Sequence, residues 1–234
     1  MNAGAGIPNG AVYLAEHQSA GRGQGPNRWH ATPSANLTLS AASMPDHLAV
    51  ADLFLLTAVA ALAVADAVRP RLPPGTVTVK WPNDVYAGNQ KLAGVLIQNG
   101  LRGQRIAWSV TGIGLNVNEA DFPPELTATA TSLRLLTGRD HDREALLTDL
   151  LAALSARYAQ THTAPGRAIL LAEYHEHLYR RHQPADFREV ATRVRFRGRI
   201  LGVSPDGRLR IDVDGAGERR FALRELRYLF TDES

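Results

Sequence analysis

The apolar positions along the chain predict a series of strands on either side of one long helix. Predicted strands are segments in which apolar and polar residues alternate, or in which apolar residues continue between turn residues. They lie at 11–15, 36–41, 76–81, 91–100 and 105–117. The last two form a predicted hairpin, because Asn99-Gly100 and Arg102-Gly103 supply turn residues between them.

The longest apolar stretch, near 48–68, predicts a helix that is buried in the core. Asp52 and Asp66 interrupt it, Pro70 follows it, and alanine is its commonest residue. These features argue against a membrane span, so no membrane association is expected. The first residues contain no basic cluster followed by an apolar run, and we expect no secretory signal.

Two further helices are predicted in the second half of the chain. Asp140 or Asp142 is expected to cap the first of them. Its apolar face repeats at helical spacing and comprises Leu146, Leu147, Leu150, Leu151, Leu154 and Tyr158. The second helix is expected at about 167–182, and Pro184 ends it.

Short alternating segments follow at 194–203, 208–213 and 219–223, joined by Ser-Pro-Asp-Gly and Asp-Gly-Ala-Gly turns. They predict a small all-β module. We therefore expect an α+β chain with one domain at 1–184 and a second at 185–234.

Four arginines alternate along one predicted strand of this module and share one face, namely Arg193, Arg195, Arg197 and Arg199. The pattern fits either a solvated strand face or a nucleic-acid surface. We favour the solvated face, because no aromatic residues are interleaved with the arginines.

Composition narrows the class of protein. Hydrophobic residues make up 44% of the 234 residues and charged residues 21%, which is ordinary for a globular protein. The chain has no cysteine, which excludes disulfides, a thiolate nucleophile and a cysteine-bound zinc ion. This usage suits a reducing compartment, and we expect a cytoplasmic protein.

Three segments contain residues suited to ligand chemistry. The first spans 16–29, where Gly21, Gly23 and Gly25 permit close backbone approach and Arg22 and Arg28 can meet an anion. The spacing matches neither a Walker loop nor a dinucleotide-binding loop. Taken alone, such a segment is more often a surface turn.

The second segment, at 80–94, contains Lys80 and Lys91 around a strand end and a turn. We expect both lysines near one crevice, where ligands of α/β folds usually bind. Taken alone, Lys80 fits a solvated strand residue as well, and Trp81 fits core packing. The third segment, at 112–118, combines two glycines with the amide of Asn116, and a β-bulge with a turn asparagine would give the same pattern.

Taken together, these segments resemble the signature stretches of biotin protein ligases, in the same order and spacing. The matching residues are the Glu-x-Gln-x-x-Gly-Arg-Gly loop at 16–23, Lys-Trp-Pro-Asn-Asp at 80–84 with Lys-Leu-Ala-Gly at 91–94, Gly-Ile-Gly-Leu-Asn-Val at 112–117 and Ala-Thr-Ser-Leu at 130–133. The resemblance implies a mixed β-sheet with packed helices, followed by a small SH3-like barrel. It also implies a biotin–[biotin carboxyl carrier protein] ligase that uses ATP and Mg²⁺.

The resemblance also implies roles for individual residues. Those implied to bind biotin or its adenylate are Gln18, Gly21, Arg22, Gly23, Gln24, Trp29, Lys91 and Gly94. Those implied to lie near the ATP phosphates and the metal, without being direct metal ligands, are Lys80, Asn83, Asp84 and Asn116. Trp29 is similar to a residue that packs near the adenine.

The chemistry of the family reaction explains why cations are needed. A biotin carboxylate, already ionised at pH 7, attacks the α-phosphate of ATP, so the requirement is for positive charge rather than a general base. Lys91 and Arg22 are the residues expected to supply it. The histidines His175, His177 and His182 lack a metalloprotease spacing, and a solvated helix face is the favoured interpretation.

Two departures from the family pattern affect the expected activity. Gln24 stands where many members have arginine, and neutral hydrogen bonds contribute about 0.5–1.5 kcal/mol against about 1.5–3 for charged ones. We therefore expect faster adenylate loss than in Gln24→Arg. The Asp-Ser-Thr-Asn stretch that binds the ureido ring does not precede Gly21, so either the start codon is assigned too late, which we favour, or this part of the pocket and the first strand and helix are missing.

Other functions stay open at this point. A lipoate or octanoate ligase shares the catalytic fold, and a truncated, non-catalytic paralogue would share the motifs. No winged helix precedes the catalytic part, so DNA binding is not expected. The expected partner is the biotin carboxyl carrier protein of acetyl-CoA carboxylase, and the oligomeric state is open, a homodimer included.

Overall fold

The computed structural model of the protein describes residues 7–18, 21, 23 and 28–230. Within these ranges the chain forms two β-sheets and four α-helices, which confirms the α+β class. The first sheet has six strands in the order β1-β2-β6-β5-β4-β3. Its strands are β1 (Val12–Leu14), β2 (Leu37–Ser43), β3 (Val77–Lys80), β4 (Asp84–Ala87), β5 (Gln90–Arg102) and β6 (Arg105–Leu115).

All pairings in this sheet are antiparallel within the described residues, although the family resemblance implies a mixed sheet. The strands from β3 to β6 follow one another through tight turns, and such connections can join only antiparallel neighbours. Parallel pairing is limited to isolated bridges such as Lys91 with Ala130.

The predicted hairpin of β5 and β6 is present, and of its two proposed turn dipeptides only Arg102-Gly103 lies at the turn. Asn99 and Gly100 lie within β5, and the turn falls after Arg102, where Gly103 adopts a φ of +57°. A Cβ at Gly100 would overlap the indole of Trp108 on β6. Gly100 is therefore a strand residue against which the Trp108 ring packs, and not a turn residue.

The long apolar stretch forms α1 (Leu53–Val68), and its residues from Ala58 to Ala65 are all buried. Val50–Arg71 is apolar and long enough to cross a membrane by length and composition, but 61% of its apolar window is buried inside the protein. The prediction of a core helix is confirmed. Because α1 is apolar on every side, it packs against the first sheet and against two other helices.

Two of the remaining helices, α3 (Arg143–Gln160) and α4 (Ala164–Glu176), cover α1 from outside, and the short α2 (Leu133–Thr137) precedes them. Asp142 caps α3 by accepting hydrogen bonds from the Glu144 and Ala145 N–H groups at 2.9 and 3.1 Å. The predicted extension of the last helix to residue 182 is wrong. Beyond His177 the backbone bonds to β3 instead, and Arg180 and His182 take positive φ angles.

The second sheet has five antiparallel strands in the order β10-β9-β8-β7-β11. They are β7 (Pro184–Glu189), β8 (Arg195–Val203), β9 (Leu209–Val213), β10 (Gly217–Phe221) and β11 (Leu226–Leu229). The alternating segments predicted three of these strands, and β7 and β11 were missed. The start of β7 coincides with the predicted domain boundary, while the division into domains and the SH3-like character of this sheet stay predictions.

The two sheets share one hydrophobic core. Phe54 and Trp81 from the first part pack in the same cluster as Phe187, Ile200 and Leu209 from the second. The Trp81 Nε1–H donates to the carbonyl of Gly207 at 2.9 Å, and a Cβ at Gly207 would lie 2.9 Å from Cδ2 of Phe54. The predicted core packing of Trp81 is confirmed, since it is 5% exposed.

Candidate active site

The motif segments meet in one transverse row on the face of the first sheet that points away from α1. Lys80 pairs with Asp84, Asp84 with Gly94, Gly94 with Gly114 and Gly114 with Thr38. Residues directly opposite each other on neighbouring strands project from the same side. Strand register therefore aligns residues of the motif segments 80–94 and 112–117 on one surface.

Two glycines of this row form a seat for the indole of Trp29. A Cβ at Gly114 would lie 2.7 Å from Trp29 Nε1, and one at Gly94 would lie 3.3 Å from Cζ3. A side chain at Gly114 would displace the ring, so glycine is required there, whereas a Cβ at Gly94 would only crowd the edge of the ring. The ring and the bare strands together form a flat apolar platform, to which a planar heterocycle can stack.

Lys91 lies at the edge of this platform. Its Nζ is 2.7 Å from Oδ1 of Asp84 and 5.7 Å from the centroid of the Trp29 ring. A register shift between Val85 and Tyr86 lets β5 bring Lys91 beside Gly94. The ammonium is about one third exposed, so it is held in place by Asp84 while it can still reach an anionic ligand.

The backbone of Lys91 is fixed by the segment that contains the fourth motif. The Lys91 N–H donates to Thr129 O at 2.8 Å, and the Thr131 N–H donates to Lys91 O at 2.9 Å. Ala130 forms a parallel bridge with Lys91. The Ala-Thr-Ser-Leu stretch thus supports the lysine from outside the sheet.

Lys80, at the end of the row, lies among aromatic rings. Its Nζ is 5.1, 4.8 and 5.5 Å from the ring centroids of Tyr86, Tyr228 and Phe230, and it donates to Tyr86 Oη at 3.2 Å. Burial lowers the pKa of the Lys80 ammonium, which Asp84 partly opposes. The alternative of a solvated strand residue is wrong, because Tyr228 on β11 and Phe230 just after it cover the Lys80 ammonium.

A backbone hydrogen bond joins Gly21 to Trp29, the first residue of the platform. The Trp29 N–H donates to the carbonyl of Gly21 at 3.2 Å, and a Cβ at Gly21 would collide with the Trp29 carbonyl. The Gln18 side chain lies against Gly21, and Gly23 is half-buried. Arg22 and Gln24 lie outside the described residues, and their implied contacts stay predictions.

The two asparagines of the implied phosphate region connect structural segments. The Asn83 Nδ2 donates to Val95 O, and the backbone carbonyl of Asn83 accepts from the Val95 N–H at 3.1 Å. Asn116 donates from Nδ2 to Thr131 O at 2.9 Å. Within the described part of the chain, the buried Asn116 Oδ1 and Trp29 Nε1 find no hydrogen-bond partner.

One anchoring residue escaped the sequence reasoning. Glu119 is 2% exposed and accepts hydrogen bonds from the Thr32 N–H at 2.9 Å, the Thr32 hydroxyl at 2.6 Å and Asn36 Nδ2 at 2.7 Å. Glu119 thereby ties the segment after Trp29 to the segment that follows β6. No sequence signal distinguishes it, because its partners are more than eighty residues away.

The histidines of the helix region are more buried than the expected solvated face. His175 is half-buried with Nε2 3.0 Å from both the N and O of Val203, and burial lowers its pKa. His177 is half-buried as well, while His182 is exposed. Across the described ranges, no three His, Asp or Glu side chains cluster as a metal site would require.

Comparison with known proteins identifies the family. The biotin/lipoate A/B protein ligase family matches residues 5–116. The biotin–[acetyl-CoA-carboxylase] ligase of Mycobacterium tuberculosis is 36% identical over 217 residues, which cover 88% of this chain and 75% of the relative. The bifunctional ligase/repressor BirA of Bacillus subtilis is 29% identical, and the chain spans 63% of its length.

Solved structures agree with these matches. The biotin protein ligase of Aquifex aeolicus in complex with biotin and ATP has a TM-score of 0.79 at 25% identity, with 96% of this chain and 91% of that chain covered. The fold and the motif row thus define a protein of the biotin/lipoate ligase class. Within that class, the chain belongs to the biotin–[acetyl-CoA-carboxylase] ligase family.

Proposed function

We propose that this protein activates biotin with ATP and transfers the biotinoyl group to a lysine of a carrier protein. The observation that carries the proposal is the position of Lys91, whose ammonium lies at the edge of the Trp29 platform and against Asp84. A cation beside a flat, bare surface suits a reaction between a carboxylate and the phosphate of a stacked nucleotide.

In the first step, an oxygen of the biotin carboxylate attacks the α-phosphorus of ATP. A mixed anhydride forms, the bond to the β-phosphate bridging oxygen breaks, and pyrophosphate leaves. Two anions approach each other, so Lys91 lowers the barrier by its charge and needs no proton transfer. Asp84 holds the ammonium in place before the substrates arrive. Arg22, outside the described residues, is proposed as the second cation of this step.

The nucleotide is proposed to stack on the indole of Trp29. The Gly94–Gly114 pair leaves room for that ring. The buried Trp29 Nε1–H and Asn116 Oδ1 can pair with ligand atoms. On the other side of the row, Lys80 and the amide of Asn83 are proposed to lie toward the phosphates.

Mg²⁺ is proposed to enter with ATP. Mg²⁺ keeps several waters and binds one or two carboxylates plus substrate phosphates, so it does not require a dedicated protein cage. This suits a site in which the described residues form no cluster of three His, Asp or Glu side chains. When bound, the ion neutralises charge on the departing pyrophosphate.

In the second step, the amine of a carrier lysine attacks the carbonyl carbon of the mixed anhydride. An amide bond forms, the carbon–oxygen bond to AMP breaks, and the amine loses a proton. The proposed acceptor is the biotin carboxyl carrier protein of acetyl-CoA carboxylase in the cytoplasm. A homodimer is retained as a prediction, which sedimentation of the purified protein would measure.

The test is isotope exchange between ATP and pyrophosphate with biotin or with lipoate as the only acid. We expect exchange that depends on biotin and is much slower with lipoate. Exchange that prefers lipoate would replace the proposal with a lipoate ligase. An absence of exchange with both acids, in folded protein, would indicate a non-catalytic paralogue.

A further inference from the structure

Three arginines lie in a row across adjacent strands of the second sheet. Arg195 on β8 pairs directly with Arg188 on β7, and Arg188 pairs directly with Arg227 on β11. Directly paired residues project from the same side of a sheet, and like charges placed opposite each other are destabilising. Among the described residues, no carboxylate forms a salt bridge with any of these arginines. The row therefore concentrates positive charge that the fold itself does not neutralise.

Arginines on the β9–β10 side of the same sheet are neutralised. Arg210 forms a bidentate pair with Glu218 at 2.9 and 2.8 Å, and Arg220 reaches the same carboxylate at 3.4 Å. These cations lower the pKa of Glu218 to about 2. Arg208 lies 3.3 Å from Asp206. The contrast shows that the unneutralised row is a local property of β7, β8 and β11 rather than a general feature of this arginine-rich sheet.

A cleft adjoins the row. It has a volume of about 1030 Å³ and lies between the second sheet and the edge of β3 and β4. Arg195 lines it together with two further cations, Arg180 and Arg197, and with one carboxylate, Asp186. The buried Thr78 hydroxyl, also in the lining, has no hydrogen-bond partner within the described part of the chain. An acidic segment that enters this cleft would meet an excess of cations and a free polar group.

The cleft and the row adjoin the end of the motif row. β11 bears Arg227 next to Tyr228, whose ring lies 4.8 Å from the Lys80 ammonium. Phe230, which lines the cleft, contacts Lys80 as well. Arg227 and Tyr228 project from opposite sides of β11, so the link between the arginine row and Lys80 runs through the cleft. A macromolecule that binds the row and enters the cleft would reach Phe230, next to Lys80 at the end of the motif row.

We propose that Arg188, Arg195 and Arg227, with the adjoining cleft, dock an acidic face of the carrier domain whose lysine is modified. This proposal rests on the proposed function and adds the surface that the macromolecular substrate uses. The carrier domain is too large to enter the platform, so it has to rest on the surrounding surface. Complementary charge accelerates such encounters and fixes their orientation.

The test compares two triple variants of the full chain. One carries Arg188→Ala, Arg195→Ala and Arg227→Ala. The control carries Arg208→Ala, Arg210→Ala and Arg220→Ala, which removes the same charge from the neutralised side. Biotin transfer to a purified, unbiotinylated carrier domain gives kcat/KM for the carrier, and ATP–pyrophosphate exchange without carrier reports the first step.

We expect the row variant to lose about tenfold or more in kcat/KM for the carrier, with weaker salt dependence, and the control to lose much less. Exchange should be unchanged in both. An unchanged kcat/KM in the row variant, or an equal loss in the two variants, overturns the docking proposal. Tight binding of nucleic acid that competes with the carrier and depends on the row overturns it too. An absence of exchange in the parent protein refutes the proposed function itself, and docking with it.

If the row variant does not fold, the single substitution Arg227→Glu takes its place. Arg227 is exposed on β11, and the substitution reverses one charge of the row. The proposal predicts that kcat/KM for the carrier falls while exchange is retained. Retention of both overturns it.

Discussion

The Nζ of Lys91 lies 2.7 Å from Oδ1 of Asp84, although the two residues come from different strands joined by a turn. Both groups are partly exposed, so the pair contributes little to stability by itself. Its consequence is positional, because it directs the ammonium along the row toward the Trp29 platform.

Replacement of Lys91 by alanine is expected to lower adenylate formation by about 10²–10³-fold, the usual effect of removing one preorganised charge stabiliser. Biotin-dependent pyrophosphate release measures this step. The fold should be retained, since the side chain is about one third exposed. Near-normal release from Lys91→Ala would remove this residue from the mechanism.

The substitution Gly114→Ala is expected to weaken nucleotide binding with little change in kcat. The new Cβ would lie 2.7 Å from Trp29 Nε1, so the ring has to leave its seat. Loss of a base–aromatic stack costs about 1–3 kcal/mol, which corresponds to about 5- to 150-fold in KM for ATP. Initial rates at varied ATP concentration give this value.

Gly112→Ala is the matched control for that substitution. Gly112 lies on the same strand and the same face, but a Cβ there would meet only Leu96 O, at 3.4 Å. Its KM for ATP should stay within a few-fold of the parent. Equal effects of the two substitutions would show that β6, rather than the seat of Trp29, determines the result.

The substitution Glu119→Ala is expected to destabilise the protein. It leaves the buried Asn36 amide without its acceptor, which costs about 1–3 kcal/mol for an unsatisfied buried group, and it also removes the acceptor of the partly buried Thr32 N–H. Urea unfolding measures the loss. Glu125→Ala removes an exposed carboxylate from the same region and should change stability little. A similar unfolding midpoint for both variants would contradict the anchoring role.

Stability is expected to fall as the pH drops from 7 toward 5. Burial, as the largest cause, lowers the pKa values of His47, His141, His175 and His177 below their ordinary 6.5. The unfolded chain then binds protons at a higher pH than the folded one, so the stabilisation is complete above about 6.5 and is lost as the pH falls through the lower folded values.

Urea midpoints across this pH range test the prediction. His175→Gln keeps a polar group near Val203 but cannot titrate, so it should flatten the decline in part. The exposed His182 serves as the control through His182→Asn, because asparagine tolerates its positive φ. A flat profile for the parent protein would contradict the assignment.

Much of the fold follows from local pattern. The uniform apolar run at residues 48–68 predicted α1, and Asp142 was one of two proposed caps for α3. The end of α4 could not be predicted, because the competing hydrogen bonds come from Val79, almost a hundred residues earlier in the chain. Sequence pattern likewise missed β7 and β11, which are the first and last strands of the second sheet in chain order.

The site was predictable in its residue types but not in its geometry. The motifs indicated that Lys80 and Lys91 share one crevice, and the sheet places both on the same face. The contact of Trp29 with Gly94 and Gly114 depends on strand register, which no single motif encodes. The aromatic surroundings of Lys80 include Tyr228, which lies about 150 positions away, so a local pattern cannot reveal them.

The core that Phe54 and Trp81 share with the second sheet limits how this protein can be divided. Phe54 packs against Gly207, and Trp81 donates to the same residue, so the last fifty or so residues complete the interior of the rest. This C-terminal part is therefore not an exchangeable module. A chimaera that takes it from a relative would need matched residues on both sides of that contact.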